Sequence, residues 1–271
     1  ACLRVPSLVG GRQGLCGSFV RRFSGYSLER QGKVAVLRLQ HGPANVLDSD
    51  SCAAWPKVFE QLASDQETKA VVLSSANPKI FCGGVDLNVI STGTNAEVQT
   101  FINSLVTTFW ALARLPKPVV TAVNGAAIAG GGVMVCASDY RVASPRAAIG
   151  VPELLVGVPF PPLALELVRT VVPRNLFKQV IFTHSFIGED ALRVGLVDEI
   201  SEDPEAAAIH KAEQLARINP EAFASNKAML VSHLEKHVSR LDVFDVQSVW
   251  TSPQTVQVVK AFLESVKSKK K

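Results

Sequence analysis

From Gly32 onward, short apolar runs alternate with segments whose apolar positions recur at helical spacing. Residues 34–39, 70–73, 119–123 and 140–143 read as strands, 70–73 being short and apolar enough to be buried. Residues 49–63 read as a helix capped by Asp48 or Ser49. Residues 95–115 carry Val98, Phe101, Ile102, Leu105, Phe109 and Leu112 on one helical face, ended by Pro116 and Pro118. Residues 77–86 read as a loop. Strand followed by helix, repeated, predicts an α/β core with parallel pairing and right-handed crossovers. Past Pro161 the strand signals stop, and helices are expected over 163–171, 174–182, 190–194, 205–218, 220–236 and 256–266. Pro220 suits a first helical position after an Asn219 cap.

The 271 residues, 47% hydrophobic, suffice for one large domain or one domain with an appended helical part. No apolar run has the length of a transmembrane helix, so no membrane span is expected. The formal charge is +4, but it sits at the ends: Arg4, Arg12, Arg21 and Arg22 at one, Lys267, Lys269, Lys270 and Lys271 at the other. Setting those eight aside leaves 20 basic against 24 acidic residues, a body unsuited to nucleic acid. Cys2, Cys16, Cys52, Cys82 and Cys136 are scattered and odd in number, which reads as free thiols in a reducing compartment. Residues 1–23 are rich in Arg, contain Ser and lack acid, as a mitochondrial targeting segment does. Arg21-Arg22-Phe23-Ser24 is similar to a processing site cut after Phe23. The expected location is therefore the mitochondrial matrix.

Two glycine loops and one acid carry the candidate chemistry. Gly130, Gly131 and Gly132 follow the 119–123 strand and open a helix-like stretch, while Gly83 and Gly84 lie upstream in the 77–86 loop. Glu153 stands downstream between apolar neighbours, in Val151-Pro152-Glu153-Leu154-Leu155. Glycine permits close backbone approach, and a helix start adds partial positive charge. Two main-chain N–H groups aimed at one oxygen stabilise an enolate, and losing one such donor typically costs about 10²–10³ in rate. Desolvation makes a glutamate a stronger base. The alternatives are helix–strand packing for the glycines and a backbone-satisfied loop residue for Glu153. A dinucleotide turn is not expected, because GxGxxG and a following ribose-binding acid are both missing. His233 and His237 form H-x-E-x-H rather than H-E-x-x-H, so no metal site is assigned. His41, His184 and His210 are isolated in sequence, and no Ser or Cys has a recognisable base.

These residues resemble the crotonase, or enoyl-CoA hydratase/isomerase, family over roughly residues 32–268. The motifs are Phe81-Cys82-Gly83-Gly84-Val85-Asp86, the run from Lys117-Pro118-Val119 to Ala129-Gly130-Gly131-Gly132, Ala137-Ser138-Asp139-Tyr140-Arg141, and Gly188-Glu189-Asp190-Ala191-Leu192 to Gly195-Leu196-Val197-Asp198. Pro43-Ala44-Asn45-Val46-Leu47 is similar to the family's first coenzyme A-contacting segment. The resemblance implies a spiral of ββα turns over residues 24–200 and a helical trimerisation region over 201–271. It implies an oxyanion hole from the N–H groups of Gly83 and Gly130. Substrate contacts would fall to Ala44, Asn45, Val46, Phe81, Asp86, Leu87, Gly131, Val133 and Phe160, with part of the 98–109 helix along the acyl chain. Lys79, Lys227 and Lys260 are candidates for the coenzyme A phosphates.

One departure narrows the expected reaction. Hydratases of this family place a glutamate just after the glycines and a second in the later loop. Here the first position is Val133 and the second is Glu153. Hydration needs two carboxylates to hold and split water; a 1,3 proton shift needs one. The run Gly157-Val158-Pro159-Phe160-Pro161 also replaces a glycine-rich turn usual in hydratases. The expectation is a Δ3,Δ2-enoyl-CoA isomerase of unsaturated fatty-acid β-oxidation, with Glu153 as its acid–base group. It would use no separate cofactor, coenzyme A being part of the acyl-CoA thioester, and assemble as a homotrimer or a dimer of trimers. An enoyl-CoA hydratase or other acyl-CoA-processing member is the alternative; a non-catalytic acyl-CoA- or RNA-binding relative is a third.

Overall fold

The structure, a computed structural model, describes residues 19–23, 25–238 and 246–268. The chain enters through β1 (Phe19–Phe23), β2 (Gly25–Gln31) and β3 (Val34–Gln40), paired antiparallel in that order. Helix α1 (Ser49–Ser64) follows, its N-terminus closed by a reciprocal bond between Asp48 and Ser51. Then come β4 (Ala70–Ser75), β5 (Ile80–Cys82), α2 (Leu87–Thr92) and α3 (Asn95–Ala113). The next turn is β6 (Val119–Val123), β7 (Ala126–Ile128) and α4 (Gly130–Cys136); the next is β8 (Tyr140–Ala143), β9 (Ala148–Gly150) and a 3₁₀ turn over Glu153–Val156. After it stand α5 (Pro162–Val171), α6 (Phe177–Ile181), β10 (Phe186–Ile187), α7 (Glu189–Arg193), β11 (Glu199–Ile200), α8 (Pro204–Leu215) and α9 (Pro220–Val231). A 3₁₀ segment, Ser232–His237, then precedes α10 (Val246–Trp250) and α11 (Pro253–Ser268).

Each turn sends one strand to a large sheet and the next to a small one, then crosses back. The large sheet runs β1-β2-β3-β4-β6-β8-β11, parallel from β3 onward; the small sheet runs β10-β9-β7-β5. This is the expected α/β spiral. Burial explains the parallel part. All of β4 and β6 is inaccessible, as strands covered on both faces must be. Alternate residues of β3 divide between two cores: Ala35, Leu37 and Leu39 face α1 and α3, while Val34 and Val36 meet Ala208 and Ala212 of α8.

The structure departs from the sequence reading in several places. Strands β5, β7 and β9 interrupt what read as loops or were not read at all. Two two-residue strands, β10 and β11, lie beyond Pro161, where only helices were expected. The helix expected over 220–236 ends at Val231 and tightens into a 3₁₀ segment. The C-terminal helices share the main core through Leu234, Val246, Trp250 and Val259. Most of the 1–23 targeting segment lies outside the described residues. Its last five residues form β1, so a cut after Phe23 would remove a strand from the edge of β2.

Candidate active site

Several segments converge on one cavity of about 90 Å³. The β5–α2 loop contributes Gly83, Val85 and Leu87; α3 contributes Leu105 and Phe109; the start of α4 contributes Ala129, Gly130 and Val133. The 3₁₀ turn brings Pro152, Glu153 and Val156, and the C-terminal helices close the far side with Trp250 and Phe262. Among its lining residues only Glu153 and His184 carry ionisable side chains.

Glu153 begins the 3₁₀ turn, which Gly157 ends in a left-handed conformation (φ +76°). Its side chain is buried, and its Oε2 has no hydrogen-bond partner. Burial pushes its pKa up to about 8, against a smaller opposing pull from its own backbone N–H. An orphaned carboxylate oxygen in an apolar cavity is costly to fold around, and such groups cluster where a proton must be moved.

The glycine helix is built by strain and close approach. Ala129 holds φ +53° and ψ −124°, a sparsely populated conformation for a residue with a Cβ. Its N–H is donated to the Gly150 carbonyl at 2.9 Å and its carbonyl accepts the Val133 N–H at 3.0 Å. That fixes α4 with no capping side chain, so the Gly130 N–H opens the helix beside the cavity. The Gly83 N–H differs from expectation: it is donated to the Ala44 carbonyl at 2.9 Å. A thioester oxygen would have to share that donor or take it over.

Of the expected substrate contacts, Leu87 and Val133 line the cavity, as do Leu105 and Phe109 from the 98–109 helix. The others do not. Asn45 (φ +48°) is buried and occupied in building its loop, accepting from the His41 N–H at 2.7 Å and donating to Ser75 Oγ at 2.9 Å and the Phe81 carbonyl at 3.0 Å. Phe81 is wholly core. Asp86 caps α2 through the Asn88 N–H. Gly131 is a packing glycine, since a Cβ there would stand 2.3 Å from the Cys82 carbonyl oxygen. Phe160 is packed into the core while its neighbours Val158 and Pro161 take the cavity wall. Ala44 and Val46 sit behind Gly83, half-buried, outside this cavity. Lys227 is buried against Asp139, Nζ to Oδ2 at 2.6 Å, and is withdrawn from any phosphate.

Sequence reasoning missed Trp250, Phe262 and His184. Trp250 is fixed by its indole N–H on the Pro159 carbonyl at 2.8 Å. Burial pushes the Cys52, Cys82 and Cys136 thiols up to about 12, so none of these is a nucleophile. Among the described residues no helix is long and apolar enough to cross a membrane.

Comparison with known proteins agrees with this architecture. Residues 29–270 match the family model described as enoyl-CoA hydratase/isomerase. The short-chain-enoyl-CoA hydratase of Clostridium acetobutylicum is 34% identical over 180 residues, 66% of this chain and 69% of that protein. The mitochondrial enoyl-CoA delta isomerase 1 of Mus musculus is 30% identical over 205 residues, 73% of this chain and 70% of that protein. Human mitochondrial delta3-delta2-enoyl-CoA isomerase superposes with a TM-score of 0.83 over 94% of this chain and 99% of its own, a likeness of fold at 24% identity. A chain matched across this length, with this spiral and this cavity, belongs to the enoyl-CoA hydratase/isomerase, or crotonase, family and is an acyl-CoA enzyme of that fold.

Proposed function

We propose that the protein is a Δ3,Δ2-enoyl-CoA isomerase, moving the double bond of a 3-enoyl-CoA to the trans-2 position. One observation carries the reading: Glu153, with a free buried oxygen, shares its cavity with Val133 where hydration would need a second carboxylate. Glu153 takes a proton from C2, and the C–H electron pair moves toward the thioester oxygen. The Gly130 N–H, together with the Gly83 N–H released or shared by Ala44, holds that charge. The protonated Glu153 then returns its proton at C4. An apolar cavity disfavours competing addition of water. With a pKa near 8, about a tenth of the carboxyls are ionised at pH 7, adequate for a base matched to its working pH.

Coenzyme A enters as part of the substrate, with no separate cofactor. Ala44 and Val46, just behind Gly83, would meet its pantetheine arm, and Lys79 and Lys260 remain for its phosphates. The basic, acid-free start and the mitochondrial mouse relative support a place in the mitochondrial matrix, in β-oxidation of unsaturated fatty acids. Exposed Ile218, Met229 and Leu230 around α9 support a homotrimer or a dimer of trimers.

The second reading is hydration of a 2-enoyl-CoA, favoured by the identity with the Clostridium hydratase. Giving one preparation both substrates separates them. Isomerisation raises the ultraviolet absorbance of the conjugated thioester; hydration lowers it. The proposal expects the first at least about tenfold faster, and the reverse order assigns the protein to the hydratases.

A further inference from the structure

We propose that His184 is a proton-relay residue, carrying protons between Glu153 and solvent. The inference rests on Glu153 acting as acid and base, not on which double bond it moves.

The cavity has one buried ionisable group and one exposed one. Glu153 lies at 8% exposure with Oε2 unpartnered, while His184 lines the same space from the solvent side. The other wall residues offer no proton carrier: they are aliphatic, aromatic, proline or glycine, and the Trp250 N–H is committed to Pro159. A carboxyl so enclosed exchanges its proton slowly unless a second group leads outward. A water between them would meet two polar partners, the unpartnered Glu153 Oε2 and a His184 ring nitrogen.

The backbone holds His184 there. A Cβ on Gly150 would fall 2.2 Å from the His184 carbonyl oxygen and 2.8 Å from Ser185 Cα, so the two chains touch at a glycine. Immediately beyond, Phe186 pairs with Ile149, which locks the approach by strand register. His184 therefore flanks the segment that delivers Glu153, although it lies 31 positions away in the sequence. Its ring makes a weak hydrogen bond, Nδ1 with Ser185 Oγ at 3.5 Å, on the side away from Nε2. In the relay Glu153 releases to water the proton it took from C2. Water passes a proton to one imidazole nitrogen, and the other nitrogen loses one to solvent. A solvent proton returning by the reverse steps restores the Glu153 carboxyl, so the round trip moves no net charge and no electron.

The test follows exchange of the C2 hydrogens of a saturated acyl-CoA in D₂O, which requires enolisation but no double-bond shift. With His184→Leu, exchange should slow about tenfold or more relative to isomerisation of a 3-enoyl-CoA by the same variant, because the isomerised proton stays in the cavity. Imidazole in the buffer should restore exchange in this variant and not in Glu153→Gln. His184→Gln, a polar replacement that cannot relay, should behave as His184→Leu does, and melting curves confirm that both are folded. Wild-type exchange rates in His184→Leu, or an equal loss of exchange and isomerisation without imidazole rescue, overturn the relay alone. A wild type that exchanges no C2 hydrogen overturns the role of Glu153 and the relay with it.

Discussion

The N–H of Ala129 meets the carbonyl of Gly150 at 2.9 Å, tying the start of α4 to the strand that delivers Glu153. Gly132 makes the same junction possible, since a Cβ there would lie 2.5 Å from the Gly150 oxygen. Gly132→Ala and Gly131→Ala should therefore each cost about 2 kcal/mol or more in stability, and Gly132→Ala should lower kcat by displacing Glu153. A Cβ on Gly130 would meet side chains and no backbone, Leu47 at 3.0 Å, Val85 at 3.5 Å and Phe109 at 3.6 Å, so Gly130→Ala should destabilise least. Urea denaturation of the three variants checks the order.

Burial of Glu153 has opposite consequences for stability and activity. Its folded pKa, near 8, lies above the roughly 4.3 of an exposed glutamate. Between those values the folded protein holds a proton that the unfolded chain releases, so stability falls as pH rises through this window and levels off above it. Glu153→Gln removes the effect. The variant should match wild type near pH 4.5 and exceed it by on the order of a few kcal/mol near pH 8.5. The base form is the active one, so wild-type kcat/KM should rise with pH and level off above about 8. Melting curves and initial rates across that range measure both trends.

Val133→Glu would place a second carboxyl beside the first. Like charges raise the proton affinity of the pair, and a polar wall admits water. Isomerisation at pH 7 should fall about tenfold or more, with hydration of 2-enoyl-CoA becoming detectable. A variant that isomerises normally would show that the identity of residue 133 does not choose the reaction.

Lys227 holds α9 to Asp139, which also accepts the Val119 N–H at 2.8 Å. Burial lowers the Lys227 pKa, and Asp139 opposes that shift. Lys227→Met should cost about 3 kcal/mol or more by leaving Asp139 without its cation. KM for an acyl-CoA should stay unchanged, in contrast to a phosphate-binding lysine.

The sequence made legible what repeats over enough residues to show a period, or what carries its own chemistry. Strands β4 and β6, helix α3, the Asp48 cap, Gly130 at a helix start and Glu153 among apolar neighbours are of that kind. Strands β5, β7 and β9 are three residues long, too short for alternation to show, and exist because neighbouring strands supply their hydrogen bonds. Trp250 and Phe262 reach the cavity from the C-terminal helices, a contact no local pattern encodes. His184 looked isolated because its link to Glu153 runs through a glycine contact between strands. Asn45, Phe81 and Gly131 lie in site motifs yet serve the frame around the site, since a motif records what a backbone needs as well as what a ligand touches.

The direct test of the central idea uses 3-enoyl-CoA deuterated at C2, converted in ordinary water. One carboxyl that takes hydrogen from C2 and returns it at C4 should deliver part of the label to C4 of the conjugated product, and Glu153→Gln should form no such product. Normal turnover with no label at C4, or undiminished turnover by Glu153→Gln, would contradict a single-glutamate shuttle.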